Sequence, residues 1–402
     1  MEPVSAVKSQ AGALREIRAV NAGFPYTEPI RRWKEQGKKV IGWTCIYIPE
    51  EVIFAAGILP VRITADSKEL ALTKSTACSY TTLCTFARSC LELALNNQLD
   101  FLDGYVGSSV CHCISHLANV WRYYVSVPIL DELSVPRTVT DTTERFFLGE
   151  ILALKERLER SYGVQISDAA LREAIQVYNR GRVLLKKLYE LRKADDPPIS
   201  GAEVLEVINA SGRMPRPEFN RLLETLLDEL NAGAHTPPRA SSEKIGASSE
   251  TIRLMMSGSI LNNPEFLKDI ESLGGSIVID ELCTGARYFW DLVDDSDAAD
   301  PWEEIARRYL NNFACARMIP AERRIDQIMS LVEEYRVEGV IARIIRYCSN
   351  IDFDQAWLKE RLSEKDIPLL ELAVEYGMPV TGQVKTRVQA FLEMLEGRRD
   401  VE

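Results

Sequence analysis

The pattern of hydrophobic and polar positions changes twice along the chain. In the first part, apolar runs at 38–45, 59–64 and 102–110 predict three buried strands, and a segment with helical spacing follows each of them. Pro49, with two acidic residues directly after it, is typical of a helix start. Because strands that alternate with helices form a parallel sheet covered on both faces, this part predicts an α/β domain.

Strands are absent from the pattern between 141 and 232, where heptad-like apolar spacing predicts helices. The alternation then returns, with predicted strands at 251–260, 275–283, 337–348 and 367–374. The segments 102–111 and 337–348 share an acid, a glycine, an apolar run and a final cysteine. We interpret this similarity as a pseudo-repeat of two doubly wound domains.

These patterns predict an α/β protein with two parallel-sheet domains and an additional helical region. The predicted division is an N-terminal helical segment over 1–37, a first α/β domain over 38–140, a helical region with its linker over 141–249, and a second α/β domain over 250–402.

Composition and charge exclude several classes of protein. Hydrophobic residues make up 46% of the chain and charged residues 27%, as in a soluble globular protein. The net charge of −11 and the lack of a basic run argue against nucleic-acid binding. No apolar stretch approaches the roughly 18 residues of a membrane span, and the first residues lack the apolar core of a signal peptide. We expect a cytoplasmic protein that binds neither nucleic acid nor membrane.

Nine cysteines are the main chemical feature of the sequence. In a reducing cytosol they are packing residues, reactive thiols or metal ligands rather than disulfides. Cys45, Cys111, Cys283 and Cys348 each lie at or just past the end of a predicted strand. That edge of an α/β sheet is where ligands bind, so core packing alone does not explain the pattern.

The remaining cysteines differ in their surroundings. Cys84 lies early in a predicted helix, where the helix dipole favours a thiolate. Cys315 precedes a helix that begins with proline, and Cys113 lies two residues after Cys111. Cys78 and Cys90 are interpreted as packing residues.

No spacing here is a known metal signature, because "CHC" at 111–113 is not a CxxC pair and no ferredoxin-type run is present. Zinc held with the help of His112 and His116 is one hypothesis. The alternative is that two histidines four residues apart mark one face of a helix.

The catalytic residues stay unknown, with three weak candidates. His112 and His116 are candidate proton donors, because histidine is the residue type that changes charge near neutral pH. Glu50, together with Glu51, lies in the first turn of a predicted helix. These two acids could approach a ligand, or they could simply complement the positive end of the helix.

Six segments, taken together and in order, resemble the family of 2-hydroxyacyl-CoA dehydratase subunits and benzoyl-CoA reductase subunits. They are "CIYIPEEVIFAAGILPVRI", "LCTFARSCLELAL", "LDGYVGSSVC", "ELCTGARYFWDLV", "VEGVIARIIRYC" and "GQVKTRVQAFLEML". The resemblance covers most of the chain from Lys38 to Leu395. It implies two flavodoxin-like α/β domains with helical additions.

The family resemblance also implies an iron–sulfur site. Between the two domains, three cysteines hold a [4Fe-4S] cluster whose fourth iron lacks a protein thiolate. By motif, these are Cys84, Cys111 and Cys348. Soft thiolates suit iron in such a cluster, and three ligands leave a coordination position open for chemistry.

One departure from the dehydratase pattern favours a particular branch of the family. Where many relatives have Cys-Asp, this chain has "CHC", and it carries further cysteines elsewhere. In this respect it resembles the double-cubane cluster proteins, in which six thiolates hold two [4Fe-4S] units bridged by a sulfide. The resemblance then implies a second trio, drawn from Cys45, Cys113, Cys283 and Cys315. Which three is left open, and so is the alternative that all four are ordinary small residues near one cluster.

The family partner is a homodimeric ATPase with its own iron–sulfur cluster, which drives single electrons at very low potential. No GxxxxGK[ST] motif is present, so we interpret this chain as the acceptor. It would be an iron–sulfur oxidoreductase that reduces a small substrate in an anaerobic setting. We also expect it to form a homodimer. Arg88 and Arg287 could support the charge of an anionic cluster, or they could form surface ion pairs.

Two other functions stay open. The chain could be a subunit of a 2-hydroxyacyl-CoA dehydratase, a lyase, or of a benzoyl-CoA reductase, with one [4Fe-4S] cluster. It could also be a non-catalytic electron-transfer subunit, with the chemistry on a partner.

Overall fold

The computed structural model describes residues 11–65, 71–237 and 251–399. Residues 1–10 of the predicted N-terminal segment and 238–250 of the predicted linker lie outside these ranges. Strands and helices alternate in the two parts of the chain where the hydrophobic pattern predicts it.

The first sheet has four parallel strands in the order β2-β1-β3-β4. They are β1 (Val40–Trp43), β2 (Leu59–Arg62), β3 (Gly104–Ser108) and β4 (Ile129–Leu133). The first three are buried along their whole length, as a parallel sheet covered on both faces requires. β4 is an edge strand that carries Asp131 and Glu132, so the sequence pattern misses it.

The second sheet repeats this arrangement in the order β6-β5-β7-β8, again all parallel. Its strands are β5 (Ile252–Gly258), β6 (Gly275–Glu281), β7 (Gly339–Ile345) and β8 (Leu369–Val374). β3 and β7, which contain the similar segments of the sequence, occupy the same place in their sheets. The prediction of two flavodoxin-like parallel-sheet domains is therefore confirmed.

Helices surround both sheets and fill the region between them. The helices before and within the first α/β region are α1 (Gly12–Ala22), α2 (Glu28–Glu35), α3 (Glu50–Ala55), α4 (Thr73–Cys78), α5 (Thr85–Leu95) and α6 (His112–Tyr124). The central helices are α7 (Asp141–Tyr162), α8 (Asp168–Glu190), α9 (Gly201–Ser211) and α10 (Arg216–Asn231), with a short 3₁₀ turn at Leu191–Lys193. The later helices are α11 (Pro264–Ser272), α12 (Ala286–Phe289), α13 (Pro301–Asn311), α14 (Glu322–Glu334), α15 (Ser349–Ser363) and α16 (Gly382–Arg399).

One hydrophobic core runs through both sheets and the central helices, and a second core lies under α11 and α16. α9 is buried along its whole length and contacts α1, α10, α11 and β6. Ser200 caps it by accepting from the Glu203 N–H at 3.2 Å, while the Glu203 carboxylate accepts from the Ser200 N–H at 3.1 Å. The central helices thus hold the two sheets in one packed unit. Within the described ranges, no helix is both long and apolar enough to cross a membrane.

Candidate metal centre

The loops that follow the strands of both sheets surround one cavity of about 100 Å³. Six cysteines line it: Cys45, Cys84, Cys111, Cys283, Cys315 and Cys348. Strand order reverses between β1 and β3 in the first sheet, and between β5 and β7 in the second. Such reversals open the crevices in which α/β sheets bind ligands. The cavity therefore lies where the two crevices meet.

Three of the six cysteines begin helices. Cys84, Cys111 and Cys348 are the N-cap residues of α5, α6 and α15. The start of a helix carries a partial positive charge and unbonded N–H groups, which favour a thiolate. These are the three cysteines that the family resemblance implies as cluster ligands, and the structure places all of them on the same cavity.

The other three cysteines lie in loops. Cys45 follows β1, Cys283 follows β6, and Cys315 lies between α13 and α14. The Cys283 N–H donates to the Ser259 carbonyl at 2.7 Å, which ties the loop after β6 to the loop after β5. This hydrogen bond fixes the loop that carries Cys283, a cysteine that does not lie at a helix start.

The six thiols divide by position into a first trio at helix starts, Cys84, Cys111 and Cys348, and a second trio in loops, Cys45, Cys283 and Cys315. Burial raises the pKa of Cys45 to about 12, and among its thiol neighbours Cys283 and Cys315 add most to the rise. Burial also raises the pKa of Cys348 to about 12, and the thiol that adds most is Cys111. Because these groups hold their protons near neutral pH, a metal must displace protons in order to bind them.

Cys113, the remaining metal candidate, lies beside the cavity and is absent from its wall. Its Sγ accepts from the Cys84 N–H at 3.4 Å, and it lies 3.2 Å from His112 Nε2. The Tyr347 carbonyl is 3.8 Å from the same sulfur. The Cys113 thiol also contacts the thiols of Cys111 and Cys84, although it does not line the cavity.

Three buried arginines also line the cavity: Arg62, Arg287 and Arg317. No acidic side chain among the described residues lines it with them. Arg287 is therefore placed where it could stabilise an anionic group in the cavity. Arg88 bonds Thr76 instead and does not reach the cavity wall.

Arg317 connects the two halves of the cavity wall. It follows Cys315 by two residues and donates to main-chain carbonyls at 2.7–2.8 Å, those of Val110, Val135 and Pro136. Since Val110 directly precedes Cys111, these bonds fix the Cys315 loop against a segment of the first trio.

The donor set fits an anionic iron–sulfur group. Within the described ranges, no three or more His, Cys, Asp or Glu side chains are placed to hold a single metal ion. The thiols surround a space instead of meeting at a point, as a group of several metal atoms requires. Soft thiolates suit iron–sulfur iron, and the arginines offset the negative charge of such a group.

The zinc hypothesis gains no support from this geometry. His112 is exposed beside Cys113, and His116 stacks on Tyr80 with ring centroids 4.7 Å apart. Neither histidine lines the cavity. Their role as proton donors stays a prediction.

Glu50 and Glu51 are buried, and neither lines the cavity. Glu50 accepts from Arg216 at 3.2 Å and from the Tyr288 hydroxyl at 2.6 Å. Glu51 accepts from Arg182 and from a tyrosine hydroxyl. These contacts give both acids a structural role, and a catalytic role for Glu50 stays a prediction.

Sequence reasoning did not identify Arg62, Arg317 or Tyr47, which also line the cavity. A signal for Arg62 was present, because it is the charged residue at the end of a buried strand. Tyr47 and Arg317 each lie two residues after a cysteine of the second trio. That spacing points to the site only when the trio is already known.

Comparison with known proteins gives the family. The family model described as "2-hydroxyglutaryl-CoA dehydratase, D-component" matches residues 45–395. The chain is 29% identical to a benzoyl-CoA reductase subunit of Thauera aromatica over 371 residues, which cover 90% of this chain and 92% of that protein. It is 26% identical to the beta subunit of (R)-2-hydroxyglutaryl-CoA dehydratase of Acidaminococcus fermentans over 391 residues, covering 95% and 98%. It is 24% identical to the (R)-phenyllactyl-CoA dehydratase beta subunit of Clostridium sporogenes over 367 residues, covering 91% and 94%. Since the family model spans most of the sequence, this chain belongs to the 2-hydroxyglutaryl-CoA dehydratase D-component family.

Proposed function

We propose that this protein is an iron–sulfur reductase component that reduces a small substrate at an [8Fe-9S] double-cubane cluster. The observation that carries the proposal is the convergence of six cysteines on one cavity. A single [4Fe-4S] cluster with an open iron needs three thiolates, whereas two bridged cubanes need six. The number of thiols, and their division between three helix starts and three loops, support the larger cofactor.

Each trio would hold one cubane. Cys84, Cys111 and Cys348 are assigned to the first, at the starts of three helices. The second is assigned to the trio in the loops, Cys45, Cys283 and Cys315. Cys113 is left out of both, because it does not line the cavity.

When bound, the cluster supplies single electrons at low potential. The residues of this chain hold it and control its surroundings. Phe86, Ile114 and Ile351 are buried on the cavity wall and exclude water from it. The three arginines stabilise negative charge in the same space.

The electrons would come from an ATP-dependent iron–sulfur activator, a separate protein. The related proteins are named as subunits, which supports a partner component. A GxxxxGK[ST] motif is absent from this sequence, in keeping with the acceptor role. We propose a homodimer in the cytoplasm.

A second candidate function is a subunit of a 2-hydroxyacyl-CoA dehydratase or a benzoyl-CoA reductase that carries one [4Fe-4S] cluster. The names of the relatives favour it. It leaves the second trio without a purpose, although those three thiols lie on the same cavity as the first.

Metal analysis separates the two candidates. The protein is purified without oxygen, and iron and acid-labile sulfide are measured. The double cluster predicts about eight irons per chain, and a single cluster about four. About four irons in a fully loaded preparation would contradict the double cluster.

The assignment of the second trio is tested with Cys283→Ala. We expect this variant to lose about half of its iron, because one cubane loses a ligand. Cys90→Ala is the matched control, since Cys90 is fully buried in α5 and does not line the cavity. It should keep the iron content of the unchanged protein.

A further inference from the structure

Arg62 presents unused hydrogen-bond donors to the cavity. It ends β2, is 6% exposed and lines the cavity wall. Its guanidinium carbon lies 5.0 Å from the ring centroid of Trp43 and 5.5 Å from that of Tyr288. Nε and Nη2 are buried and have no hydrogen-bond partner among the described residues. The two rings fix the guanidinium while leaving these N–H groups free.

Arg287 is in a similar position. It is fully buried, and Nη2 donates to the carbonyls of Gly258 and Ser259. Nε lies 3.4 Å from Glu281 Oε2, but neither atom makes a hydrogen bond, and Nη1 also lacks a partner among the described residues. Leaving charged donors buried and unbonded costs free energy. An acceptor inside the cavity would remove that cost.

Both arginines lie beside the second trio. Arg287 Nη2 and the Cys283 N–H donate to the same Ser259 carbonyl, at 3.1 Å and 2.7 Å. Arg62 pairs with Trp43 across β2 and β1, and Cys45 follows Trp43 by two residues. The third arginine, Arg317, uses Nε, Nη1 and Nη2 on carbonyls and lies between the two trios. It therefore lies near both halves, while each of its nitrogens already donates to a carbonyl.

The surroundings of the first trio are different. Its cysteines begin helices, and the neighbouring wall residues Phe86, Ile114 and Ile351 are apolar. Asn350, also on the wall, is partly exposed, and its Oδ1 accepts from Arg137 at 3.5 Å. Backbone N–H groups and helix dipoles thus stabilise charge there, in place of charged side chains.

We propose that Arg62 and Arg287 donate hydrogen bonds to the cluster half held by Cys45, Cys283 and Cys315 and thereby set its reduction potential. The inference rests on the proposed function. Reduction adds one electron to this half and makes or breaks no bond, so the negative charge rises by one. Charged donors stabilise the added charge and make the potential less negative. The first half relies on helix starts, so the potentials of the two halves respond to different parts of the protein.

The test is a redox titration of the anaerobic full-length protein, reduced with a europium(II) chelate and followed by EPR. Arg62→Met and Arg287→Met should keep the iron content. They should make the potential of one reduction step more negative by at least about 59 mV, which is a tenfold change in the equilibrium constant for one electron. The other step should move much less. Arg62→Lys keeps the charge and should restore most of the shift.

Arg88→Met is the matched control. Arg88 lies four residues after Cys84 in α5 and bonds Thr76 outside the cavity, so both steps should stay in place. The Arg62 and Arg287 variants could keep their full iron while neither step shifts, or while both steps shift equally. Either result would overturn the inference and leave the proposed function intact. Loss of iron from Arg62→Met and Arg62→Lys alike, with folding retained, would overturn it too. About four irons in the unchanged protein would contradict the proposed function itself.

Discussion

At the scale of the residue, Cys111 and Cys113 show how two thiols close together in sequence take different positions at the cavity. Cys111 is the N-cap of α6 with an extended backbone, and its side chain reaches the cavity. Cys113 lies inside the first turn, where side chains point back toward the start of the helix. Its sulfur therefore meets the Cys84 N–H and the Tyr347 carbonyl. One sulfur thus contacts segments next to all three cysteines of the first trio.

We predict that Cys113→Ala keeps about eight irons per chain but loses them faster to a chelator. The substitution removes the acceptor for the Cys84 N–H and a contact with Tyr347, so the segments that carry the ligands move more freely. The rate of iron release to bathophenanthroline measures the effect.

Cys78→Ala serves as the control, because Cys78 lies in α4 and its Sγ bonds only main-chain carbonyls of its own helix among the described residues. It should release iron at the rate of the unchanged protein. If Cys113→Ala lost half of its iron at once, Cys113 would be a ligand and the second trio would need a new assignment.

The residues of the site could be predicted only in part. Cys84, Cys111 and Cys348 came from motifs matched to a family. The choice of the second trio depends on which loops meet in space. Proximity in sequence is misleading there, because Cys113 is only two residues from Cys111 and yet does not line the cavity. Arg62 ends β2 of the first sheet, whereas Arg287 lies in α12 beyond β6 of the second, and no local pattern links them.

At the scale of the element, most strands and helices could be predicted because burial leaves a clear pattern. β1 and β3 read as apolar runs, since both of their faces are covered. β4 has one exposed edge and two acids, so its pattern resembles a loop. Cys84, predicted to lie early in a helix, is instead the cap of the helix that begins at Thr85.

Alanine substitutions at two helix glycines, one in α8 and one in α7, should change the free energy of unfolding in opposite directions. A Cβ on Gly181 would lie 2.7 Å from Asn220 Oδ1, on the facing helix α10. Asn220 cannot move away easily, because its Nδ2 donates to the Val177 carbonyl at 2.9 Å. Gly181→Ala should therefore lower the free energy of unfolding by about 1–3 kcal/mol through overpacking.

Gly149 in α7 is the matched control, because nothing lies within 4 Å of a Cβ built there. Gly149→Ala should raise the free energy of unfolding by about 0.5–1 kcal/mol, since alanine loses less backbone entropy than glycine in a helix. Urea denaturation of both variants measures the difference. Stabilisation by both substitutions would show that α8 and α10 are less closely packed than the structure has them.

At the scale of the whole molecule, a buried ionic network joins the regions that surround the cysteine-lined cavity. Glu50 belongs to α3 of the first α/β region, Arg216 to the central helix α10, and Tyr288 to α12 beyond the second sheet. The carboxylate accepts from both of the others, at 3.2 Å and 2.6 Å. The sequence could not predict this network, because its members lie far apart along the chain and each is charged or polar in an otherwise apolar setting.

The network predicts that Arg216 matters far more for stability than an exposed arginine in a similar pair. Arg216 is 4% exposed and Glu50 2%, so Arg216→Met leaves a carboxylate buried without its cation. We expect the free energy of unfolding to fall by about 3–5 kcal/mol. The comparison is Arg180→Met, because Arg180 in α8 pairs with Glu224 in α10, the helix that carries Arg216, and its side chain is 65% exposed. Solvent and salt screen that pair, so its loss should change little. Urea denaturation of the iron-free proteins isolates the effect from cluster binding, and similar losses in the two variants would mean that the buried network does not hold the three regions together.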